Sequence, residues 1–433
     1  MAFIRTSKNS DTDRKSESRW LSISIQILSL ISALLVNLLI PFVYGVEYYG
    51  GFIQANILVF TIQKFADIVI EPLMVYVEPC FLFVTTLVTS AIILLVAHGV
   101  SYIDAVGSQG LLAAMLLSSN CMLSMFALRL HQNILLHLIL LLVVFFSLLL
   151  LDYNGLIHLS LVNLLVCSNL IPALISTAAL FLFGSTLPTS RQMWEALKIS
   201  VSEFPRNVST TLVFNFLTNI YPYILTKELT ARDLGVFRIV TSLLQSAASL
   251  FPLNIKEIFS QFIEGKQRNK KIHLLVIVSL FYFSAIGIFA TLATYFEPKL
   301  SPYISMITIL PVIYWVILFE RFMQAEQMRQ KLLLINLSIF SLMMIAVLFV
   351  KTLQDAEYLY VLSIGIYASV LLGCSQISIN RNQILLVIFF SIMAFSQEEN
   401  LKGCSLLYML TIATLTFFFM KKLMPNFSNV KII

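Results

Sequence analysis

Charge is what this sequence has least of. Only 12% of its 433 residues are Asp, Glu, Lys or Arg, while 59% are hydrophobic. A water-soluble domain carries about 25% charged residues, so a soluble globular chain is excluded. Cysteine is sparse and unpaired. Cys80, Cys121, Cys167, Cys374 and Cys404 stand singly in apolar runs. None has metal-ligand spacing, which excludes a zinc framework and leaves them as small buried hydrophobes. His98, His131, His137, His158 and His273 are isolated and lie mostly near span ends. They form no metal constellation, and interfacial packing is the expectation for each. There is no P-loop or other Gly-rich phosphate cradle. No cofactor or metal is expected, and any energy source is an ion gradient, a substrate gradient or a separate protein. Long polar loops are lacking too. The longest, about 184–205, leaves no room for an extramembrane catalytic domain, so the chain is not expected to be an enzyme. A cleavable leader is not expected: residues 1–19 are polar, the apolar run after them is too long for a signal segment, and no small-residue cleavage site follows. The net charge of +6 does not point to nucleic acid, because the basic residues are distributed by another rule.

What is present is a series of apolar runs of roughly 18 to 25 residues, each long enough to cross about 30 Å of hydrocarbon. The expectation is an all-α polytopic membrane protein with about 14 transmembrane helices. Alternating ten-residue segments would have marked a β-barrel instead. The spans fall near 20–43, 52–76, 80–98, 108–128, 133–151, 157–183, 206–226, 234–260, 272–296, 302–322, 331–350, 357–377, 383–396 and 403–421. With the N-terminus in the cytoplasm, about 20 Lys and Arg fall on the inner side and about 5 on the outer. That bias sets the orientation. It also gives an organisation: a tail (1–19), an N-lobe of helices 1–6 (20–183), a cytoplasmic linker (184–205), a C-lobe of helices 7–12 (206–377), and two extra C-terminal helices with a basic tail (378–433).

An internal repeat runs through the two lobes. The segment from Asn37 reads NLLIPFVYGVEYYGGFIQANIL, and that from Thr218 reads TNIYPYILTKELTARDLGVFRIVTSL. Pro41 matches Pro222, Gly50 matches Gly235 and Phe52 matches Phe237. Each copy is a span ending near Pro, an outer turn, a Gly-x-Phe start and a long charged helix. Both copies run in the same direction from the same point of a six-span block. This predicts two lobes related by an axis along the membrane normal.

Polar faces mark the candidate sites. In the second span Lys64, Asp67 and Glu71 fall within an arc of about 60°, and Lys64 is expected near mid-membrane, about 18 Å in. Charges inside a spanning helix normally mark a pathway. Here Lys64 suits a phosphate, and Asp67 or Glu71 a coupling cation or proton. An internal Lys64–Asp67 ion pair that ties helices together is the structural alternative. In the eighth span Arg238, Ser242, Gln245, Ser249, Pro252 and Lys256 line one face within about 40°, with Arg238 and Lys256 about 27 Å apart. Cations at both ends suit an anionic head group, Arg as a planar fork and Lys as a mobile point charge. Snorkelling of both to the interfaces stands beside that reading. The seventh span presents Asn207, Thr211, Asn215, Thr218 and Pro222. Asn215 and Asn219 are the candidates for sugar hydroxyls, with helix–helix hydrogen bonding the alternative.

The Pro, the YG…YGGF run and the charged helix that follows resemble the start of bacterial O-antigen and capsular repeat-unit flippases of the Wzx type. These belong to the multidrug/oligosaccharidyl-lipid/polysaccharide exporter superfamily. DLGVF after Thr230-Ala231-Arg232 fits the same pattern at the second lobe, and the trailing spans resemble the lipid II flippases. The resemblance implies two six-helix lobes around a central cavity in the bacterial cytoplasmic (inner) membrane. It implies a substrate of undecaprenyl diphosphate carrying one oligosaccharide repeat unit, and work alongside a polysaccharide polymerase and chain-length regulator proteins. Two rivals remain: a multidrug cation antiporter of the same superfamily, and a membrane polysaccharide polymerase or ligase.

Overall fold

Apolar runs become helices here because a helix satisfies every backbone group internally, which lipid cannot do. The computed structural model describes residues 38–70, 73–99, 106–249, 309–326 and 328–375, with scattered residues between 24 and 32 and between 272 and 287. The helices, in order, are α1 (Val46–Ile70), α2 (Pro79–Gly99), α3 (Val106–Ala127), α4 (His131–Tyr153), α5 (Leu161–Leu182), α6 (Ser190–Asn215), α7 (Ala231–Ser249), α8 (Leu310–Ala325), α9 (Arg329–Val347) and α10 (Leu353–Cys374). There is no strand among the described residues. Seven of the described helices, α1 to α5, α9 and α10, are long and apolar enough to cross a bilayer. That is the architecture of a multi-pass membrane protein. α6, α7 and α8 lie at three more of the expected spans. Those expected at 383–396 and 403–421, and about half each of 20–43 and 272–296, lie outside the described residues.

Two helix starts differ from expectation. The outer turn expected at 44–51 contracts to Gly45, whose φ of +90° is open to glycine, and α1 begins at the next residue. The linker is helical from Ser190 onward. Thr189 caps it reciprocally: its N–H donates to Gln192 Oε1 at 2.8 Å, and the Gln192 N–H donates to Thr189 Oγ1 at 3.4 Å. Arg191 and Glu195 pair at 3.1 Å one turn on.

The chain packs as two units: Met1–Ala33 with Val59–Phe204, and Leu34–Leu58 with Pro205–Ile433. In the first, α5 lies against α3 and α4, and α2 against α3. Phe83, Met125, Ile134, Ala173 and Leu180 fill the core. A polar seam runs through it. His137 was expected at an interface, but α4 starts at His131 and carries His137 inward to 1% exposure. It bridges Ser118 at 3.0 Å and Ser176 at 2.8 Å, so it joins α3 and α5. Asn120 donates to Ser90 Oγ at 2.9 Å and ties α3 to α2. Such bonds are helix–helix glue in lipid, where the hydrophobic drive between helices is weak.

In the second unit α8 packs against α10, α7 and α9. Tyr314, Trp315 and Phe319 are wholly buried on it, and Trp315 Nε1 donates to Ser279 Oγ at 3.0 Å. The turn before α10 is fixed by a capping box, Thr352 with Asp355. Beside it Lys351 pairs with Glu228 at 3.1 Å. Gln54 Nε2 donates to the Thr226 carbonyl at 3.0 Å, so the starts of α1, α7 and α10 share one end of the unit.

The repeat appears as a contact within this second unit. α1 and α7 cross at the matched glycines. A Cβ on Gly50 would lie 1.6 Å from the Ala231 carbonyl oxygen, and one on Gly235 would lie 2.5 Å from that of Val46. Ala231 stands four residues before Gly235, as Val46 stands before Gly50. Exchanging the two segments maps these residue contacts onto one another, with different distances, which is a local pseudo-two-fold relation. Ala231-x-x-x-Gly235 is the small-residue spacing that lets helix backbones meet in a membrane.

Candidate functional site

α1 holds Lys64 and Asp67 one turn apart, and the two pair at 3.5 Å. The side chains are 53% and 36% exposed, so the pair sits on a surface of its helix and is not sealed in a core. Because α1 begins at Val46, Lys64 lies roughly 27 Å along it, in its last two turns and not at its middle. Glu71 lies outside the described residues.

α7 places Arg238 half-buried, close enough to the buried Tyr49 of α1 to act on it electrostatically. Ser242, one turn on, is buried at 8% exposure, so the upper part of this stripe faces protein. The neighbouring Thr241 returns its hydroxyl to the Phe237 carbonyl at 2.9 Å. Gln245 continues the helix, but its side chain is outside the described set, as are all of Pro252 and Lys256. By packing unit, Lys64 and Asp67 belong to the first and Arg238 to the second.

The side chains of Asn215 and Asn219 are likewise outside the described set, but their backbone is informative. Asn215 ends α6, and Asn219 lies in a π-helical turn, Phe216–Ile220. The cause is local. Pro222 has no N–H and its ring crowds the carbonyl four residues back, at Thr218. A widened turn accommodates that, and a short helix, Tyr221–Leu225, follows. Single π-turns are frequent at functional sites.

Sequence reasoning passed over one polar cluster. Glu320 on α8, Asn336 on α9 and Tyr367 on α10 meet in the core of the second unit, 7%, 0% and 1% exposed. The available signal was Glu320 itself, an acidic residue inside the run PVIYWVILFERFM. Among the described residues no three His, Cys, Asp or Glu are grouped to hold a metal, and Cys80, Cys121, Cys167 and Cys374 are free thiols. Comparison with protein-family models, curated proteins and solved structures finds no match to this chain.

Proposed function

We propose that this chain is a flippase that moves an undecaprenyl-diphosphate-linked oligosaccharide repeat unit from the cytoplasmic to the periplasmic leaflet of a bacterial inner membrane. The observation that carries this reading is the pseudo-two-fold crossing of the repeats at Gly50 and Gly235. Parallel repeats related in this way are the architecture of carriers that work by alternating access, with substrate biasing a pre-existing equilibrium between two states. A diphosphate head with sugars needs cationic and amide faces, and its lipid tail stays in the bilayer. Lys64, Arg238 and Lys256 are assigned to the diphosphate, and Gln245, Asn215 and Asn219 to sugar hydroxyls. Asp67 and Glu71 are assigned to the coupling ion. A polymerase with its chain-length regulator then consumes the product. A strain lacking the protein is expected to lose surface polymer while still building the lipid-linked unit on the cytoplasmic face. The purified protein in vesicles is expected to make that unit accessible from both sides. If the deletion strain exports normal polymer, the reading is wrong; if its lipid-linked units already reach the periplasm and merely fail to polymerise, the reading is wrong and a polymerase is favoured.

Orientation is tested separately. On a cysteine-free background an impermeant thiol reagent applied from outside is expected to label Glu47→Cys and to leave Ser190→Cys unlabelled. The charge bias across the loops motivates this. The reverse pattern overturns the orientation.

A further inference from the structure

One hydroxyl hydrogen in the second unit faces two oxygens. Tyr367 on α10 sets its Oη against a carboxyl oxygen of Glu320 on α8, and against Asn336 Oδ1 on α9 at 3.0 Å. The Asn336 amide cannot turn round. Its nitrogen donates to the Leu332 carbonyl at 2.9 Å, and its oxygen accepts from the Val213 N–H at 3.2 Å. Turning it would set N–H against N–H and oxygen against oxygen. The atom facing Tyr367 is therefore an acceptor, and so is an ionised Glu320. A neutral tyrosine has one O–H hydrogen to give. With Glu320 ionised, one of these two oxygen–oxygen contacts has no hydrogen between its atoms, and a buried carboxylate is left poorly compensated. A proton on Glu320 removes the conflict. Glu320 then donates to Tyr367 Oη, Tyr367 donates to Asn336 Oδ1, and each of the two oxygen–oxygen contacts carries a hydrogen.

We propose that Glu320 is a proton-binding site, occupied in this conformation and heading the hydrogen-bond chain Glu320–Tyr367–Asn336–Val213. The charged and titratable groups acting on it are Tyr367 from α10 and Arg321 from its own helix. Arg321 also donates to Gln324 at 3.0 Å. α9 presents the Asn336 amide, and the ionisable residues of α7 (Arg232, Asp233 and Arg238) lie in its first half. Release sets a bare carboxylate and the Asn336 oxygen against a single hydrogen. It thereby weakens the tie among α6, α8, α9 and α10, so proton occupancy governs the packing of this unit. The sequence placed ion coupling at Asp67 and Glu71; this site uses neither residue, and it stands whatever the cargo is.

The test is infrared spectroscopy of the carboxylic acid carbonyl stretch, with thermal unfolding, on the whole protein in lipid nanodiscs between about pH 6 and about pH 9. Wild type at neutral pH is expected to show a protonated-carboxyl band that Glu320→Gln lacks. A neutral amide donates to Tyr367 as the protonated acid does, so the variant is expected to fold. The folded state holds a proton that the unfolded state gives up at neutral pH, so wild-type stability falls as pH rises. That fall is expected to be smaller in Glu320→Gln. In Tyr367→Phe, which keeps the acid but removes its acceptor, the band is expected to persist at a shifted frequency; this arm serves if the Gln variant does not fold. Identical wild-type and Glu320→Gln spectra overturn the proposal. So does a band unmoved by Tyr367→Phe, or one abolished by sodium at constant pH, which would make the site a metal-cation site.

Discussion

Gly50→Ala is expected to abolish accumulation of folded protein in the membrane, while Gly51→Ala, one residue on, is expected to be neutral. The two glycines share a helix but not an environment. A Cβ at Gly50 would stand 1.6 Å from the Ala231 carbonyl oxygen, 2.5 Å from its carbon and 3.0 Å from the Gly235 nitrogen. All three are backbone atoms, so no rotamer change relieves the clash. The helices must separate, and in lipid the packing lost is a large part of what holds them together. At Gly51 a Cβ meets nothing within 4 Å. There alanine gains about 1 kcal/mol of helix propensity. Gly235→Ala should fall between, since its closest approach is 2.5 Å to the Val46 oxygen. Fluorescence-detected size-exclusion chromatography ranks the three variants. A monodisperse Gly50→Ala peak at wild-type height would mean that α1 and α7 do not cross backbone to backbone.

The crossing also gives the repeat a physical meaning that similarity alone does not. Matched glycines in two segments are a pattern. Matched glycines that touch, each against the carbonyl one turn before its partner, place the symmetry axis between them.

The sequence made some of this legible and hid the rest, for identifiable reasons. The correspondence of Gly50 with Gly235 was readable from spacing. Their contact was not, because spacing says nothing of which helices meet. The start of α1 was misplaced because Tyr-Gly-Val-Glu-Tyr-Tyr-Gly-Gly reads as a turn by composition. Of its three glycines, Gly45 makes the turn, Gly50 serves a close approach inside the helix, and Gly51 meets nothing within 4 Å. Residues 190–205 read as loop because they are polar and charged, although the Thr189–Gln192 capping pair was visible in the letters. The Lys64–Asp67 pair followed from i,i+3 geometry. The Glu320 cluster was out of reach because its members come from three helices, with Asn336 and Tyr367 separated by 31 residues and Glu320 and Tyr367 by 47. An acidic residue next to Arg321 at an expected span end reads as an interfacial pair. The π-turn at Phe216–Ile220 was hidden similarly: Pro222 announces strain, not how the chain absorbs it.

Phe237→Ala is expected to lower the thermal midpoint of the protein substantially. Phe237 is the repeat mate of Phe52, and it is wholly buried. Its ring meets Tyr221 edge-on at 5.6 Å and Tyr360 edge-on at 6.0 Å. Tyr221 stacks on Phe216 at 6.0 Å, and Phe216 meets Phe340 at 5.3 Å. The ladder thus links α7, the π-turn, α9 and α10, with Phe237 between two of its rungs. Tyr221 also donates to the Ala356 carbonyl at 2.8 Å, an anchor that depends on Phe237 keeping its ring in place. In a water-soluble core such a truncation costs about 3–5 kcal/mol. In a bilayer the transfer part shrinks, because lipid is about as apolar as the protein interior. The edge-on contacts, about 0.5–1.5 kcal/mol each, and the unfilled volume remain. The expected loss is therefore about 2–4 kcal/mol. Phe237→Leu, which keeps most of the volume, should lose less than half of that. The measurement is the fraction of protein surviving a heating series in detergent. Equal losses for the Ala and Leu variants would show that volume at this position does not matter, and would remove the ladder as a determinant of the fold.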